Sequence, residues 1–506
     1  MTMRLTDLLR EAGLADRSGF SPAAQAIEVS RIAYASQEVV AGDLFFALPG
    51  HQTHGAQFAA DAVQAGAAAI VTDTAGAQVL AERADGIDVP VLEVVDPRRA
   101  MALIAAAMYG HPAKDLAMLG VTGTNGKTSV TYLLQAAMQA AAIPCGVVGT
   151  IGSRLPDGTA LDQVRTTPEA PDLQFVLSRM RDAGAFAVAM EVSSIAVREH
   201  RVDGLDFAVM GFTGLSHDHL DYHGTMEEYF AAKAELFDSE RAAVGVVMVE
   251  DGWGERLRES AGIPIVTVTT RSDAQADWRA IRSGSTVRIE GRDSAEFSLP
   301  IATDFAVANA ALTIAMAATQ GIPAGVSADA IAAARVPGRM ELVTSTDGID
   351  FVVDYAHSPD AIEKVVGSAL TQRSEGTGRV IVVIGAGGDR DREKRPAMGR
   401  AAADADVVVV TDDNPRSENP VDIRDMVRRG AETGGAEVHE IAPRDEAIGW
   451  AVGEARTGDV VLVLGKGHEA FQELANGVVP FDDRRVLASF VRRRFHLDGD
   501  GQGEGA

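Results

Sequence analysis

The sequence predicts an α/β protein built from parallel sheets that are covered by helices. Short apolar runs rich in β-branched residues alternate with Ala-rich helical stretches almost throughout the 506 residues. Several runs are apolar on both faces, which is typical of strands buried in a parallel sheet. The alternation favours repeated βαβ units. The clearest predicted strands are residues 68–72, 116–122, 186–192, 207–212, 380–384, 407–411 and 460–464.

Chain length and two boundary signals predict three domains. A chain of 506 residues is too long for one ordinary domain. Residues 109–112 (Tyr-Gly-His-Pro) and 336–338 (Val-Pro-Gly) each end an Ala-rich helical stretch. We expect a smaller N-terminal α/β domain over 1–110, a central domain with a P-loop ATPase-type parallel sheet over 111–337, and a C-terminal Rossmann-like α/β domain over 338–497. The acidic, Gly-rich residues 498–506 are expected to be a disordered tail.

Charge and cysteine content restrict the class of protein. The net charge of −26 repels phosphate backbones and anionic membranes, so we expect no nucleic-acid partner. Cys145 is the only cysteine, which excludes an internal disulfide and cysteine-clustered metal sites and fits a reducing compartment. The N-terminus lacks a signal-peptide pattern, and no run of ~18 apolar residues predicts a membrane span. We therefore expect a cytoplasmic protein, and nothing in the sequence indicates an obligate protein partner.

A glycine-rich segment predicts a nucleotide site. Residues 120–128 read Gly-Val-Thr-Gly-Thr-Asn-Gly-Lys-Thr between a predicted strand and a helix over about 129–142. Backbone N–H groups and the helix N-terminus there favour phosphate, with Lys127 on the outer phosphates and Thr128 on Mg²⁺. The spacing departs from the usual Walker form, and the alternative is a plain glycine turn. We predict that ATP or another nucleoside triphosphate binds here. Residues 385–388 are no dinucleotide fingerprint, because Arg390 occupies the place of the third glycine.

Lys233 lies on the apolar face of a predicted helix. Residues 225–228 read Thr-Met-Glu-Glu, a capping box that predicts a helix beginning near Met226. Phe230 and Phe237 fall at helical spacing on one face, and Lys233 lies between them. A lysine at such a position ordinarily extends its amine to water. Alternatively, desolvation lowers its pKa and makes the amine reactive. The sequence leaves both interpretations open.

Acidic and histidine side chains follow two predicted strands. Residues 217–223 read His-Asp-His-Leu-Asp-Tyr-His directly after an apolar strand. Ligands bind at the carboxyl ends of strands in α/β proteins, so this group suits Mg²⁺ or a substrate better than a core. For any single histidine the alternative is a solvated loop residue. Glu191 ends another predicted strand, just before Ser193, and is a second candidate Mg²⁺ carboxylate.

The order of these motifs resembles that of the Mur ligase family of peptidoglycan synthesis, over nearly the whole chain. The family's phosphate loop matches residues 123–128, its acidic strand end matches 191–194, and its Asp-His-Leu-Asp segment matches 218–221. The lysine of its Ala-Ala-Lys helix is Lys233. The chain departs from the family pattern in the uridine pocket, which reads Ala-Ser-Gln at 35–37, and at four further positions: Ile195, Glu199, Gly214 and Ala306.

The resemblance implies an ATP-dependent, ADP-forming acid–amino-acid ligase. Such an enzyme adds meso-diaminopimelate to the D-glutamate of UDP-N-acetylmuramoyl-L-alanyl-D-glutamate through an acyl phosphate. The alternatives are the same ligase using L-lysine or L-ornithine, another Mur or folylpolyglutamate-type ligase, and, more remotely, a non-catalytic ATP-binding regulatory relative. The resemblance also implies that CO₂ carbamylates Lys233, that Glu191, His219 and carbamylated Lys233 hold one Mg²⁺, and that Thr128 holds the other. Lys127, Lys233, Glu191 and His219 would then be the catalytic residues.

The same resemblance assigns binding residues to each substrate. Nucleotide contacts fall on Gly123, Thr124, Asn125, Gly126, Lys127, Thr128, Ser129, Asn309, Arg339 and Asp354. The N-terminal domain would bind the UDP-sugar through Tyr34, Ser36, His51, Gln52 and Thr53. The muramoyl peptide would meet Thr166, Thr167, Ser193, Glu199 and Arg201. The C-terminal domain would bind the amino acid through Arg390, Asp413, Asn414, Pro415, Arg416, Gly465 and Glu469.

The chemistry of Arg416 supports that last assignment independently. Diaminopimelate has a distal ammonium–carboxylate centre, whereas lysine has a distal ammonium alone. A guanidinium fork can bind the distal carboxylate bidentately, and Glu469 can pair with the distal ammonium. The alternative for Arg416 is a surface arginine after a turn proline.

Overall fold

The computed structural model describes residues 2–14, 26–50, 53–82, 87–161, 165–373 and 378–496. The chain packs as two compact units. The first contains Met1–Ile281, Arg288–Glu296 and Ala308–Ile331, and the second contains Arg282–Val287, Phe297–Val307 and Ala332–Ala506.

The N-terminal part of the first unit contains a four-stranded parallel sheet, in the order β3-β4-β5-β6, and a short antiparallel pair, β1-β2. Phe46 and Val71 pack on one face of the sheet and Phe45 and Ile70 on the other, which explains why these strands are apolar throughout. The elements are β1 (Met3–Arg4), α1 (Leu5–Glu11), β2 (Glu28–Val29), β3 (Arg31–Ala33), β4 (Asp43–Phe46), α2 (Ala59–Gln64), β5 (Ala69–Thr72), α3 (Thr74–Glu82), β6 (Val91–Glu93) and α4 (Pro97–Met108).

The middle of the chain forms an eleven-stranded sheet in the order β10-β9-β8-β11-β7-β12-β13-β14-β15-β16-β17. Its elements are β7 (Ala117–Thr122), α5 (Lys127–Ala140), β8 (Cys145–Gly149), β9 (Gly152–Arg154), β10 (Ala160–Leu161), α6 (Ala170–Asp182), β11 (Ala187–Glu191), α7 (Ser194–Arg198), β12 (Phe207–Phe212), α8 (Leu220–His223), α9 (Met226–Ala234), β13 (Gly245–Met248), α10 (Gly252–Ser260), β14 (Ile265–Thr269), β15 (Trp278–Ser283), β16 (Thr286–Glu290), β17 (Ser294–Ser298), α11 (Asp304–Thr319) and α12 (Ala324–Ala333).

The strand order of this sheet brings three loops together. β7 is hydrogen-bonded in parallel to both β11 and β12, although β11 and β12 follow it in the chain. Val121 of β7 is in register with Glu191 of β11 and with Gly211 of β12. The carboxyl ends of the three strands therefore meet at one edge, where α/β proteins bind ligands.

The second unit contains a six-stranded sheet in the order β18-β19-β23-β20-β21-β22, in which only the pairing of β18 with β19 is antiparallel. A hairpin, β24-β25, follows the sheet. The elements are β18 (Glu341–Thr346), β19 (Ile349–Asp354), α13 (Pro359–Gln372), β20 (Val380–Ile384), α14 (Lys394–Ala402), β21 (Val407–Val410), α15 (Pro420–Ala431), β22 (Glu437–Glu440), α16 (Arg444–Glu454), β23 (Val460–Leu464), β24 (Phe471–Leu474), β25 (Gly477–Pro480) and α17 (Asp483–Phe495).

The predicted α/β class is confirmed, and each of the seven predicted strands is present with ends that agree to within one residue. The helix predicted after the glycine-rich segment runs over Lys127–Ala140, two residues earlier than expected at each end. The domain boundaries at 110/111 and 337/338 stay predictions, and the tail at 498–506 lies outside the described residues. Of the helices described, none is both long and apolar enough to cross a membrane.

Candidate active site

The glycine-rich loop joins β7 to α5. Gly123 and Gly126 both have positive φ, at 137° and 90°, a conformation that side chains rarely adopt. A Cβ atom at Gly123 would collide with the Thr213 hydroxyl, and one at Gly126 would collide with the side chain of Asn309. The predicted nucleotide residue Asn309 therefore lies directly against the loop. The structure thus supplies the strand, loop and helix N-terminus that a phosphate site requires.

Side chains fasten this loop on both sides. Lys127 Nζ donates to the carbonyl oxygens of Gly123 (3.0 Å) and Thr124 (2.8 Å). The Thr124 hydroxyl accepts from the backbone N–H of Ser216 at 3.0 Å and lies 3.2 Å from the Tyr229 hydroxyl. Among the remaining predicted loop residues, Asn125 accepts from Thr213 through its carbonyl, and Thr128 and Ser129 occupy the first turn of α5.

Lys233 is buried, with 1% of the residue exposed. Its Nζ donates to the Gly123 carbonyl (2.9 Å) and lies 3.5 Å from the Thr122 hydroxyl, with the Tyr229 ring centroid 4.6 Å away. Burial, followed by the charge of Lys127, holds its pKa well below the usual lysine value, and Asp218 opposes this shift. The interpretation that Lys233 extends to water is therefore wrong, and the desolvated amine is confirmed.

The helix that carries Lys233 begins where the capping box predicts. The side chain of Thr225 accepts from the backbone N–H of Glu228, and α9 runs over Met226–Ala234. The cap and the apolar residues Tyr229 and Phe230 orient α9 so that Lys233 points to the phosphate loop.

Glu191 ends β11 beside the phosphate loop and is 1% exposed. Its carboxylate accepts from the backbone N–H (2.7 Å) and the hydroxyl (3.0 Å) of Thr150. Gly149 must lack a side chain, because a Cβ atom there would collide with this carboxylate. The loop after β8 therefore orients Glu191 in a buried position.

His219 and His223, both in the segment 217–223, lie in different surroundings. His219 has a left-handed backbone (φ 53°) just before α8, and its Nε2 lies 3.5 Å from Asp218 Oδ2. Burial lowers the pKa of His219, Asp218 opposes that shift, and the charges of Lys127 and Lys233 reinforce it. His223 is buried instead and lies 2.8 Å from the hydroxyl of Ser194, so it is a core residue. The expectation that these histidines as a group suit a ligand is wrong for His223.

Conventional metal ligands do not suffice for a metal site here. Across residues 2–14, 26–50, 53–82, 87–161, 165–373 and 378–496, no three His, Cys, Asp or Glu side chains group closely enough to hold a metal ion. Three of the predicted Mg²⁺ ligands carry a donor atom as they stand: the Glu191 carboxylate, the His219 ring and the Thr128 hydroxyl. Lys233 could contribute only if its amine were converted to an anionic group. Its burial and low pKa fit that conversion, because a neutral amine is the reactive form.

A cavity of about 340 Å³ lies in the first unit and receives three of the predicted UDP-sugar residues, namely Tyr34, Ser36 and Thr53. Arg98, Arg165 and Glu169 line it as well. The Tyr34 hydroxyl donates to Asp172 at 2.7 Å, and burial together with this bond raises its pKa. The other two predicted residues, His51 and Gln52, lie outside the described residues.

The predicted muramoyl-peptide residues lie together near the end of β11. The Thr167 hydroxyl donates to the Glu191 carbonyl (3.0 Å) and lies 3.4 Å from the Ser193 hydroxyl, while that of Thr166 lies 3.1 Å from the Thr150 hydroxyl. Two charged side chains complete the set. Arg201 pairs with Glu169 at 2.9 Å, and Glu199 pairs with Arg98 at 2.8 Å.

Two predicted nucleotide residues belong to the second unit. Asp354 ends β19, is 7% exposed, and accepts from the backbone N–H groups of Met340 (2.6 Å) and Ala356 (2.8 Å). Burial raises its pKa, and Arg339 opposes that shift. The Arg339 guanidinium stacks over the Tyr355 ring at 4.3 Å.

The predicted amino-acid residues of the second unit meet where β21 and β23 end. Arg416 Nε donates to Glu473 at 2.5 Å, and its Nη1 donates to the Gly388 carbonyl at 2.8 Å. Asn414 Nδ2 donates to Glu469 at 3.0 Å. The carboxylate of Asp413 lies against Gly465, which has a positive φ of 112° and no room for a larger side chain. Arg390 lies close enough to Tyr355 for its charge to act on that hydroxyl, and Pro415 links Asn414 to Arg416.

Comparison with known proteins identifies the family. Three family models match the chain: the Mur ligase family catalytic domain over residues 28–109, the Mur ligase middle domain over 121–317, and the Mur ligase glutamate ligase domain over 338–467. A UDP-N-acetylmuramoyl-L-alanyl-D-glutamate–2,6-diaminopimelate ligase of Streptomyces coelicolor is 43% identical to this chain, over 95% of this chain and 96% of its own length. The chain belongs to the Mur ligase family.

Two further relatives support the membership. A UDP-N-acetylmuramyl-tripeptide synthetase of Leifsonia xyli is 41% identical, over 91% of each chain. A solved structure of a UDP-N-acetylmuramoyl-L-alanyl-D-glutamate–2,6-diaminopimelate ligase is 29% identical, with a TM-score of 0.67, and the match covers 98% of this chain and 100% of that one. The resemblance to Mur ligases predicted from the motifs is thereby confirmed.

Sequence reasoning missed several residues of this Mur ligase that hold the predicted ones. Thr150 orients Glu191. In the second unit Glu473 pairs with Arg416, and Lys466 pairs with Glu469. None of these residues carries a local pattern of its own. Only Lys466 stood beside a signal, since it lies next to Gly465 in the Gly-Lys-Gly-His-Glu segment at 465–469.

Proposed function

We propose that this chain is the ATP-dependent ligase that joins meso-diaminopimelate to the D-glutamate carboxylate of UDP-N-acetylmuramoyl-L-alanyl-D-glutamate. The relative from Streptomyces coelicolor carries that activity in its name and aligns with nearly the whole chain. Because ATP is the second substrate, we place the reaction in the cytoplasm.

The observation that carries the proposal is the buried Lys233 amine hydrogen-bonded to the phosphate loop. A lysine with a suppressed pKa, held 2.9 Å from the carbonyl of a loop glycine, has no use in a plain nucleotide-binding fold. It is suited to react with CO₂ and to become a carboxylate-like ligand close to the phosphates. Glu191, which lies in register with Val121 of the neighbouring strand β7, adds a second anionic group there.

The proposed reaction has two steps. An oxygen of the D-glutamate carboxylate attacks the γ-phosphorus of ATP, and the bond from that phosphorus to the β,γ-bridging oxygen breaks. ADP departs, and the D-glutamate carboxylate has become an acyl phosphate. The neutral amine of the amino acid then attacks the acyl carbon, a C–N bond forms, the amine loses a proton, and inorganic phosphate departs. The loop N–H groups and Lys127 stabilise the charge on the transferred phosphoryl group.

The metal assignments are part of the proposal. Thr128 would hold one Mg²⁺, and Glu191, His219 and carbamylated Lys233 would hold another. When bound, Mg²⁺ would neutralise charge on the phosphates. The desolvated Lys233, the buried Glu191 carboxylate and the lowered pKa of His219, which favours the neutral ring with one nitrogen free to bind a metal ion, fit this role.

Substrate positions follow from the same reasoning. Tyr34, Ser36 and Thr53 line a cavity that would take the uridine end. Arg201 pairs with Glu169, which lines the same cavity, and Ser193 follows the end of β11, where the peptide carboxylate would arrive. In the second unit, Arg416 would bind the distal carboxylate of diaminopimelate and Glu469 its distal ammonium. Holding both reactants in line supplies much of the rate enhancement.

One observation favours a second candidate for the amino acid. The Arg416 guanidinium already pairs with Glu473 through Nε and with the Gly388 carbonyl through Nη1. An arginine neutralised in this way is a weaker carboxylate ligand, which would suit L-lysine or L-ornithine.

The test is phosphate release from ATP with UDP-N-acetylmuramoyl-L-alanyl-D-glutamate as acceptor. Meso-diaminopimelate, L-lysine and L-ornithine are offered in separate reactions. We expect release with diaminopimelate at a kcat/KM at least about tenfold above the others, since each good charge-assisted contact contributes that much discrimination. Preferred turnover of lysine or ornithine would overturn the amino-acid assignment alone. Absence of turnover with all three would overturn the acceptor as well.

A further inference from the structure

Lys466 is a buried lysine beside the proposed amino-acid site, and the reaction above leaves it without a role. None of its side chain is exposed. Its ammonium donates to Glu469 Oε2 and to Asn414 Oδ1, both at 3.0 Å. The Phe471 ring centroid lies 5.9 Å from Nζ. A charge this deeply buried persists only with close partners, so its partners depend on it as much as it depends on them.

Asn414 connects Lys466 to the rest of the site. Its Oδ1 accepts from Lys466 Nζ and also from the backbone N–H of Glu473, each at 3.0 Å. Its Nδ2 donates to Glu469 Oε2 at 3.0 Å. Asn414 is only 4% exposed, so its amide is committed to this frame. Glu473 in turn pairs with Arg416, so Lys466 reaches Arg416 through two intervening residues, whereas it contacts Glu469 directly.

The two oxygens of Glu469 are used differently. Both Lys466 and Asn414 donate to Oε2. Within the described ranges, no group donates to Oε1, and the side chain keeps 23% of its surface exposed. One oxygen is therefore fixed from inside the protein, and the other has no donor within those ranges. A partly exposed carboxylate that is held through one oxygen and keeps the other available suits an ammonium group.

We propose that Lys466 is a positioning residue that fixes Glu469 and Asn414 so that Glu469 Oε1 receives the distal ammonium of the amino-acid substrate. The proposal rests on the amino-acid site given under the proposed function. Lys466 does not touch the substrate. It acts through Glu469, and its effect is specific to amino acids that carry a distal amine.

A selectivity measurement separates this role from a general structural one. Lys466→Met removes the ammonium and keeps a flexible apolar stem of similar length. The rate of phosphate release is measured against the concentration of meso-diaminopimelate and, separately, of 2-aminopimelate, which has the distal carboxylate and lacks the distal amine. We expect the KM for diaminopimelate to rise about tenfold and that for 2-aminopimelate to stay within about twofold, so that the preference between them collapses. The KM for ATP is expected to stay unchanged.

Lys364→Met is the matched control. Lys364 pairs with Asp360 at 2.8 Å on α13 of the same unit, but half of its side chain is exposed. We expect this variant to keep the wild-type preference. An equal loss with both amino acids in Lys466→Met would overturn the proposal, because that is the signature of general damage. Unchanged constants in Lys466→Met would overturn it too.

A second variant covers the case in which Lys466→Met fails to fold because Glu469 is left unpaired. Lys466→Met combined with Glu469→Gln removes both charges and leaves a neutral site. If Lys466 acts through Glu469, the double variant prefers diaminopimelate over 2-aminopimelate to the same extent as Glu469→Gln alone. A further loss of discrimination would show an independent role and overturn the proposal.

Failure of the proposed function is distinguishable from failure of this inference. Wild-type turnover with L-lysine in place of diaminopimelate would overturn the proposed substrate. The role of Lys466 would then be tested with L-lysine against norleucine, which again differ by the distal amine. Loss of that preference in Lys466→Met would support the positioning role, and its retention would overturn it.

Discussion

Lys233 in the first unit and Lys466 in the second are both lysines without access to water, but their surroundings differ. Lys233 meets a carbonyl oxygen and a hydroxyl, and its pKa lies well below the usual lysine value, because burial and the charge of Lys127 outweigh the opposing effect of Asp218. Lys466 donates to the carboxylate of Glu469 at 3.0 Å and to an amide oxygen. Burial alone therefore does not decide what a lysine does.

The difference lies in what offsets desolvation. A buried ammonium without a close counter-ion loses its proton, and the resulting neutral amine is a nucleophile. A buried ammonium that donates to a carboxylate has a partner that offsets part of the cost of desolvation. The proposals above accordingly give Lys233 a chemical role and Lys466 a positioning role.

The largest effect expected from this comparison is on the rate of catalysis, and it concerns Lys233. Lys233→Arg keeps a positive charge and removes the amine that can react with CO₂. We expect phosphate release to fall about a thousandfold, the scale of losing a group that stabilises the transition state. Lys364→Arg, on the exposed face of α13, should retain full activity. Substantial activity in Lys233→Arg would refute carbamylation and with it the reactive assignment.

A smaller effect is expected on stability. Here the substitution of Lys466 should cost more than the substitution of Lys233. Lys466→Met leaves the Glu469 carboxylate without its counter-ion and should lower the free energy of unfolding by about 2 kcal/mol. Lys233→Met replaces an amine that has no carboxylate partner by an apolar isostere and should change the free energy of unfolding by less than about 1 kcal/mol. Differential scanning calorimetry of both variants beside wild type tests the ranking. A larger loss for Lys233→Met would mean that its contacts with Gly123 and Thr122 stabilise the fold more than the ion pair of Lys466 does, and would contradict the ranking.

The smallest expected effect is on the pH dependence of stability and concerns His200. The partners of His200 raise its pKa, whereas the surroundings of Lys233 lower the pKa of that lysine. His200 Nδ1 lies 3.0 Å from Asp203, and its Nε2 lies 3.1 Å from Asp96. The hydrogen bond to Asp203 raises its pKa, burial opposes this, Asp96 adds to it, and Arg241 reduces it. The side chain of Arg99 also approaches Asp203, at 3.8 Å.

The sign of the pH dependence follows from that raised pKa. The folded state binds the proton more tightly than the unfolded state, so the stabilisation is complete below about pH 6.5 and is lost as the pH rises through the folded pKa. We expect less than about 1 kcal/mol, because the pair is only partly buried. Unfolding midpoints measured from pH 5 to 8 should show this decline in wild type. A His200→Gln variant with an identical decline would exclude His200 as its source.

Local signals in the sequence account for the bounds of the strands and helices and for the phosphate loop. Strands such as β12 and β23 have the predicted bounds, because runs that are apolar on both faces require burial in a parallel sheet. Gly123 and Gly126 were identifiable because only glycine tolerates their backbone. The cap at Thr225 likewise depends on residues three positions apart. Each of these signals is complete within a few residues.

The sequence by itself therefore determined the α/β class, the phosphate loop, the cap before Lys233 and, through the order of the motifs, membership of the Mur ligase family. Tertiary structure decided the role of each charged side chain. Lys233 meets the Gly123 carbonyl across 110 positions of sequence, and Asn414 meets Lys466 across 52. His219 and His223 are close together in the sequence, yet His219 is half exposed and His223 is buried. Burial and counter-ions set the protonation and orientation of a side chain, and both come from residues that only the fold brings near.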